Sequence, residues 1–139
     1  MHRSPLALPV LAALVLTGGF GIAAWAQNVA VIKERKDHLE AMGKAAGAVG
    51  KMFKGDEDFD LEKIKAALQL FQDKAALLPK LFPDDSKEGE DTEALPAIWE
   101  NKADFEGRYP KLADSAKAAA TAITDEFNFA DEWPKVMDN

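Results

Sequence analysis

The stretch from Ile32 to Phe53, IKERKDHLEAMGKAAGAVGKMF, decides the fold of this 139-residue chain. Seven of its residues recur at alternating spacings of three and four, the pattern of the inward face of a long helix packed on other helices: Ile32, Arg35, Leu39, Met42, Ala46, Val49 and Phe53. All are apolar except Arg35. A guanidinium in a core position needs a partner, because burying an isolated charge is costly. The stretch therefore predicts a helical bundle with an anion beside Arg35, unless the arginine reaches the surface or pairs with an acid on a neighbouring helix.

Further helices are predicted along the chain. The first runs from Asn28, as N-cap, to Lys54, and the second covers residues 61–78 after the N-cap Asp60. A third begins at Pro96, a residue favoured at the first helical position. The segment from Thr124 to Asn139 has the pattern of a turn followed by the start of a fourth helix. The predicted fold is an all-α, antiparallel up-down-up-down four-helix bundle whose fourth helix is cut short.

The connection formed by residues 80–95 is longer than a bundle requires and is rich in Asp and Glu. For most of its length we expect a solvated acidic loop. Its last residues, Thr92 and Glu93, are placed to fold back over the mouth of a pocket.

The first residues have the features of an export signal. A short polar start with Arg3 precedes a mostly apolar segment that ends in the small-x-small pattern Ala24-Trp25-Ala26. We predict a signal peptide over residues 1–26 and a mature domain over residues 27–139, located in a bacterial periplasm. A membrane anchor is the alternative, which the glycines and early prolines of the segment disfavour.

Composition excludes several classes of function. The formal charge of −7 and the lack of a basic cluster argue against nucleic-acid binding. The chain contains no cysteine, so it forms neither disulfides nor cysteine-ligated zinc sites. No nucleophile-base pair, metal-ligand spacing or glycine-rich phosphate loop is found, and we predict a protein that is not an enzyme.

From Val31 onward the chain resembles the cytochrome c′ family, the four-helix-bundle class of c-type cytochromes. Four stretches in the same order carry the resemblance, together with Phe105 at the family's usual distance from the third: Ile32 to Gly43, Leu77 to Pro83, Thr92 to Trp99, and Trp133 to Asn139. They cover nearly all of the predicted mature domain.

The resemblance implies a haem c cofactor and places five residues around it. Arg35 matches the arginine near the haem propionates, and Lys36 matches a neighbouring contact at the haem edge. Leu39 matches the apolar residue over the distal face of the iron, while Thr92 and Glu93 match the loop that closes the haem edge. A charge-assisted pair with a propionate would then explain why an arginine stands in the helical seam.

The resemblance also implies electron transfer or reversible binding of small gases such as nitric oxide, an unidentified redox partner protein, and a homodimer packed through the first two helices. No membrane association of the mature form is implied. Met42, Phe105 and Ala116 are further candidates for the pocket wall.

The chain departs from the family pattern at its end. Family members hold haem through C-x-x-C-H, whose histidine is the axial iron ligand. This sequence ends at Asn139, where that motif would begin, and contains no cysteine. We expect a haem protein truncated before its attachment motif. The alternative is a haem-free exported helical bundle with a binding or structural role.

Overall fold

The computed structural model describes the backbone of residues 20–139 and the side chains of residues 28–139. Its helices are α1 (Phe20–Lys54), α2 (Leu61–Leu77), α3 (Ala97–Glu100), α4 (Lys102–Ala122) and α5 (Glu126–Met137). This part of the chain contains no strand, so the all-α prediction is confirmed. Within it, no helix combines the length and apolar character needed to cross a membrane.

The helices pack as an antiparallel bundle around α2, which lies against both α1 and α4, while α5 packs on α4 and α1. The short α1–α2 and α4–α5 connections force the helices that they join to be antiparallel neighbours. Gly55, at a φ of +78°, ends α1 in the left-handed conformation that glycine adopts without strain. Asp60 caps α2 as predicted, because its Oδ1 accepts a hydrogen bond of 3.0 Å from the backbone amide of Lys63.

One apolar core fills the bundle. Its buried residues come from α1, α2, α4 and α5, together with Ile123 directly after α4: Val49, Met52, Ile64, Ala67, Leu68, Phe71, Ala116, Ala119, Ile123, Phe129, Trp133 and Val136. The rings of Phe71 and Trp133 stack at 6.1 Å, which places α5 against α2 through aromatic contact. Although α5 has only 12 residues, three of its side chains are buried in this core.

The predicted start of the first helix is wrong. Asn28 lies inside α1 and is not its N-cap, since the helix begins at Phe20. The Asn28 side chain instead donates a hydrogen bond to the backbone carbonyl of Asp85 in the connection after α2. Residues 1–19 of the predicted signal peptide lie outside the described residues, and cleavage after Ala26 stays a prediction.

The predicted third helix is divided in two. Asn101, with φ −122° and ψ 44°, interrupts the helical backbone between α3 and α4, and Pro96 stands one residue ahead of α3. The connection before it, the α2–α3 loop (residues 78–96), is more ordered than a solvated loop. It contains two 3₁₀ turns, Leu78–Leu81 and Asp84–Ser86, and its acidic side chains are exposed while its backbone packs on α1.

Candidate functional site

A cavity of about 630 Å³ opens between α1, the α2–α3 loop, α3 and α4. Its lining is mostly apolar and includes all five residues proposed from the sequence: Arg35, Lys36, Leu39, Glu40, Phe82, Thr92, Glu93, Ala94, Leu95, Ala97, Ile98, Phe105 and Tyr109. Residues separated by more than 50 positions in sequence thus meet around one space. Their assignment to a cofactor stays a prediction.

Arg35 is buried at the edge of this cavity, with 1% of its surface exposed. Its Nη1 donates to the Ser86 hydroxyl at 2.8 Å and to the Leu81 carbonyl at 3.3 Å. Its Nη2 donates to the Ser86 carbonyl at 2.8 Å and to the Thr92 hydroxyl at 2.6 Å. All four acceptors are neutral, and among the described residues no carboxylate forms an ion pair with this guanidinium.

Two aromatic rings face the Arg35 guanidinium. Its Cζ lies 4.9 Å from the ring centre of Phe82 and 5.7 Å from that of Trp99. The Trp99 indole is held by hydrogen bonds from Nε1 to the carbonyls of Phe82 (3.1 Å) and Pro83 (3.2 Å). Burial lowers the pKa of Arg35, but the group stays charged because guanidinium titrates far above neutral pH. The site therefore holds a desolvated cation that hydrogen bonds and ring faces stabilise.

The backbone conformation of the α2–α3 loop brings its end back over the cavity. Gly89, Glu90 and Asp91 all have positive φ, at 108°, 44° and 51°. For Glu90 and Asp91 this conformation is strained, and the exposed Lys36 ammonium donates to their carbonyls at 3.5 and 3.3 Å. Thr92 then follows at the cavity wall.

Leu39 is 44% exposed, although the seam pattern predicted a core residue. It stands at a place where the bundle is open, and its side chain lines the cavity. On the opposite wall, Phe105 and Tyr109 meet edge to face at 5.3 Å, and burial raises the pKa of Tyr109 to about 12. The sequence marked Phe105 as a wall residue, and the structure places it there.

Several site residues were not recognised from the sequence. Ser86 had no visible signal, because a serine in an acidic loop is usually solvated. Tyr109 lies four residues after Phe105, one helical turn, a spacing that marks it as a neighbour. Of the other two proposed wall residues, Ala116 belongs to the core and Met42 lines a different pocket.

That second pocket, of about 220 Å³, lies at the end of α5 and includes Met42, Leu112, Met137 and Asn139. Met42 is one helical turn from Leu39, and Leu112 is about one turn from Tyr109. The two pockets therefore follow one another along α1 and α4.

No histidine lines either pocket. His38 is directed at α2, where its Nδ1 lies 3.0 Å from the Lys74 ammonium, and its Nε2 lies 3.6 Å from Glu34. No group of three or more His, Asp or Glu residues suited to a metal ion is found within residues 20–139.

The chain is similar to known cytochromes. A family profile described as Cytochrome C′ matches residues 30–139, which include every residue lining the two pockets. The chain is 43% identical over 122 residues to cytochrome c′ of Rhodopseudomonas palustris, covering 87% of this chain and 81% of that protein. It is 34% identical over 96 residues to cytochrome c-556 of Agrobacterium tumefaciens, covering 68% of this chain and 77% of that protein.

The fold is similar as well. The structure aligns with that of cytochrome c′ from Rhodopseudomonas palustris at a TM-score of 0.75 and 42% identity, over 78% of this chain and 86% of that one. Alignment with cytochrome c556 of the same organism gives a TM-score of 0.69 at 25% identity, over 78% of this chain and 87% of that one.

Proposed function

Because the chain belongs to the cytochrome c′ family, we propose that its main cavity holds a haem c and that the protein transfers electrons and binds small gases such as nitric oxide. The family binds haem c and its members are four-helix bundles. One observation carries the assignment to this cavity: a buried guanidinium, Arg35, stands beside an apolar space of about 630 Å³.

The chemistry of the lining fits the body of the group. Haem is a flat apolar ring with two carboxylates at one edge, and the cavity has an apolar wall and one desolvated cation. Its volume lies within the range of small-molecule sites, roughly 300–1,000 Å³. The charge of Arg35, which no carboxylate of the described residues neutralises, would attract the anionic edge.

The residues present do not account for attachment. The 139 residues contain no cysteine for a thioether bond, and the cavity lining contains no histidine. In the family both belong to a C-x-x-C-H motif, which these 139 residues do not contain.

When bound, haem iron supplies one-electron redox chemistry and a coordination position for small gases. Leu39 would keep water and large ligands from the distal face through its apolar bulk. Phe105 and Tyr109 would form an aromatic wall, and Lys36, Thr92 and Glu93 would close the edge at the mouth. None of these roles is a turnover step, so we propose a carrier and ligand-binding protein rather than an enzyme.

The proposed setting is the periplasm, reached by cleavage of the signal peptide over residues 1–26. We propose that the mature form is not associated with a membrane, exchanges electrons with an unidentified protein partner, and forms a homodimer through α1 and α2.

The test adds the missing motif. The chain is extended after Asn139 by Cys-x-x-Cys-His and expressed for export in a host with haem-attachment machinery. We expect a Soret band that survives denaturation, since thioether bonds persist when the fold is lost. The matched control replaces both added cysteines by serine and should lose the covalent haem. An extended chain that acquires no haem would contradict the proposal, and the genomic sequence after the Asn139 codon would show whether the motif follows naturally.

A further inference from the structure

The residue that holds the Arg35 guanidinium does not itself line the cavity. Ser86 is fully buried, at 0% exposure, in the 3₁₀ turn Asp84–Ser86. Its hydroxyl accepts from Nη1 and its carbonyl accepts from Nη2, both at 2.8 Å. The hydroxyl donates its own hydrogen to the Pro83 carbonyl at 2.9 Å, which directs a lone pair towards the guanidinium.

Arg35 connects Ser86 to the cavity wall through a hydrogen bond to Thr92. Its Nη2 donates to the Thr92 hydroxyl at 2.6 Å, and the same oxygen accepts from the Ala94 amide at 3.2 Å. Thr92 and Ala94 both line the cavity. Since four hydrogen bonds use all four Nη hydrogens, the guanidinium cannot rotate without breaking several of them.

We propose that Ser86 is a positioning residue for this cavity: it fixes Arg35 as a bridge between α1 and the α2–α3 loop, and the bridge holds Thr92 and Ala94 in place. The inference rests on the proposed function in that it concerns the same cavity, but the bridge forms without the cofactor. Removing the Ser86 hydroxyl leaves one buried Nη1–H of Arg35 without its acceptor. This disfavours the arrangement in which the loop end, Thr92 and Ala94, packs at the cavity wall.

The experiment measures amide hydrogen exchange by NMR in the cofactor-free 139-residue chain. The reporters are the Thr92 amide, bonded to the Gly89 carbonyl at 3.0 Å, and the Ala94 amide. Ser86→Ala should raise their exchange rates about tenfold or more, as loss of a hydrogen bond to a charged group implies.

A matched control removes a hydroxyl elsewhere. Thr121 is exposed on α4 and bonds only to the Lys117 carbonyl of its own helix, so Thr121→Ala should leave both reporters unchanged. The double variant Arg35→Leu/Ser86→Ala should exchange no faster than Arg35→Leu alone, because Ser86 acts through the arginine. Additive acceleration would overturn the proposal.

Unchanged exchange at Thr92 and Ala94 in Ser86→Ala would also overturn it. If Ser86→Ala does not fold, Ser86→Cys replaces it, because this variant nearly keeps the side-chain volume and weakens the hydrogen-bond acceptor. Faster exchange at the Thr92 and Ala94 amides is again expected, and unchanged exchange would again overturn the proposal. Haem titration separates the two proposals. Faster exchange, together with a motif-extended chain that acquires no haem, supports the bridge and contradicts the proposed function. Haem binding with unchanged exchange contradicts the bridge alone.

Discussion

Arg35 is buried as a cation among neutral oxygens. Charge-assisted hydrogen bonds from Nη1 and Nη2 offset part of its desolvation, but they supply no negative charge. The family resemblance suggested a direct pair with a haem carboxylate. All four Nη hydrogens are already used by the chain, so the Nε–H and the net charge of Arg35 remain available to an anion.

Replacing this charge tests its role. Arg35→Leu in the motif-extended protein should weaken haem retention by about tenfold or more, because the anionic edge loses its only buried cation among the described lining residues. Arg108→Leu is the matched control, since Arg108 is an exposed arginine paired with Asp104 at 3.0 Å on α4. Haem release measured by transfer to an acceptor protein should separate the two variants. Equal release would show that Arg35 does not act on the cofactor.

The raised pKa of Tyr109 predicts that the folded protein loses stability as the pH rises. Its folded pKa of about 12 lies above the ordinary value of 10.0, because burial disfavours the phenolate. The native state therefore holds this proton more strongly, and stability is lost as pH rises from 10 towards 12. Tyr109 is the only tyrosine in the chain, so phenolate absorbance reports on it directly.

The measurement compares urea denaturation at pH 9 and pH 11, values that bracket the ordinary tyrosine pKa of about 10. The unsubstituted chain should lose more unfolding free energy between them than Tyr109→Phe, which has no proton to release. A phenolate titration midpoint near 10 in the folded protein would contradict the expected burial.

At the scale of elements, one face of α1 organises the α2–α3 loop. Asn28, Ile32 and Arg35 lie at spacings of four and three, and each is directed at this loop. Ile32 lies beside Gly89, where its Cδ1 would be 3.9 Å from an added Cβ. The helix seam thus continues past the bundle core, but its partner there is a loop instead of a helix.

The short α5 depends on its cap. Asp125 accepts a hydrogen bond of 2.9 Å from the Asn128 amide, and α5 then buries Phe129, Trp133 and Val136. Asp125→Ala should lower the free energy of unfolding by about 1 kcal/mol, the typical value of an N-cap. Asp131→Ala, on the exposed side of the same helix, should have a much smaller effect. Urea denaturation of both variants distinguishes a capping effect from a general loss of negative charge.

At the scale of the whole molecule, the cavity lies between α1, α3 and α4, and the α2–α3 loop forms the rest of its border. An apolar space of this size stabilises the fold when a ligand fills it. Free haem added at about 100 times its dissociation constant should stabilise the chain by about 2.7 kcal/mol. The thermal midpoint should rise with haem concentration, whereas Arg35→Leu should show a smaller rise. A midpoint independent of haem would contradict binding in this cavity.

Assembly is tested separately. The proposed homodimer through α1 and α2 should sediment at twice the chain mass of 15.1 kDa, less any cleaved leader, and should dissociate on dilution. A charged substitution at Leu77, which is 44% exposed near the end of α2, should shift the equilibrium towards monomer if that face is buried between copies. A monomer at all concentrations would contradict the prediction.

The family resemblance marked five residues that line the cavity, whereas others such as Phe82 and Tyr109 were not recognised before the structure. The sequence by itself determined the helical class and the apolar seams. Periodicity encodes these features locally, because side chains three and four apart share a helix face. The break at Asn101 and the earlier start of α1 were not predicted, since helix ends depend on competing contacts beyond the local pattern.

Only the tertiary structure decided what Arg35 binds. The seam pattern required a partner for the guanidinium and favoured an anion, whereas the partner found is Ser86, 51 residues away. Nothing local distinguishes that serine from a solvated one. Its role arises because the loop folds back on α1 and places a carbonyl and a hydroxyl within hydrogen-bonding distance of one cation. Such a contact depends on the long-range path of the chain, which helical periodicity does not encode.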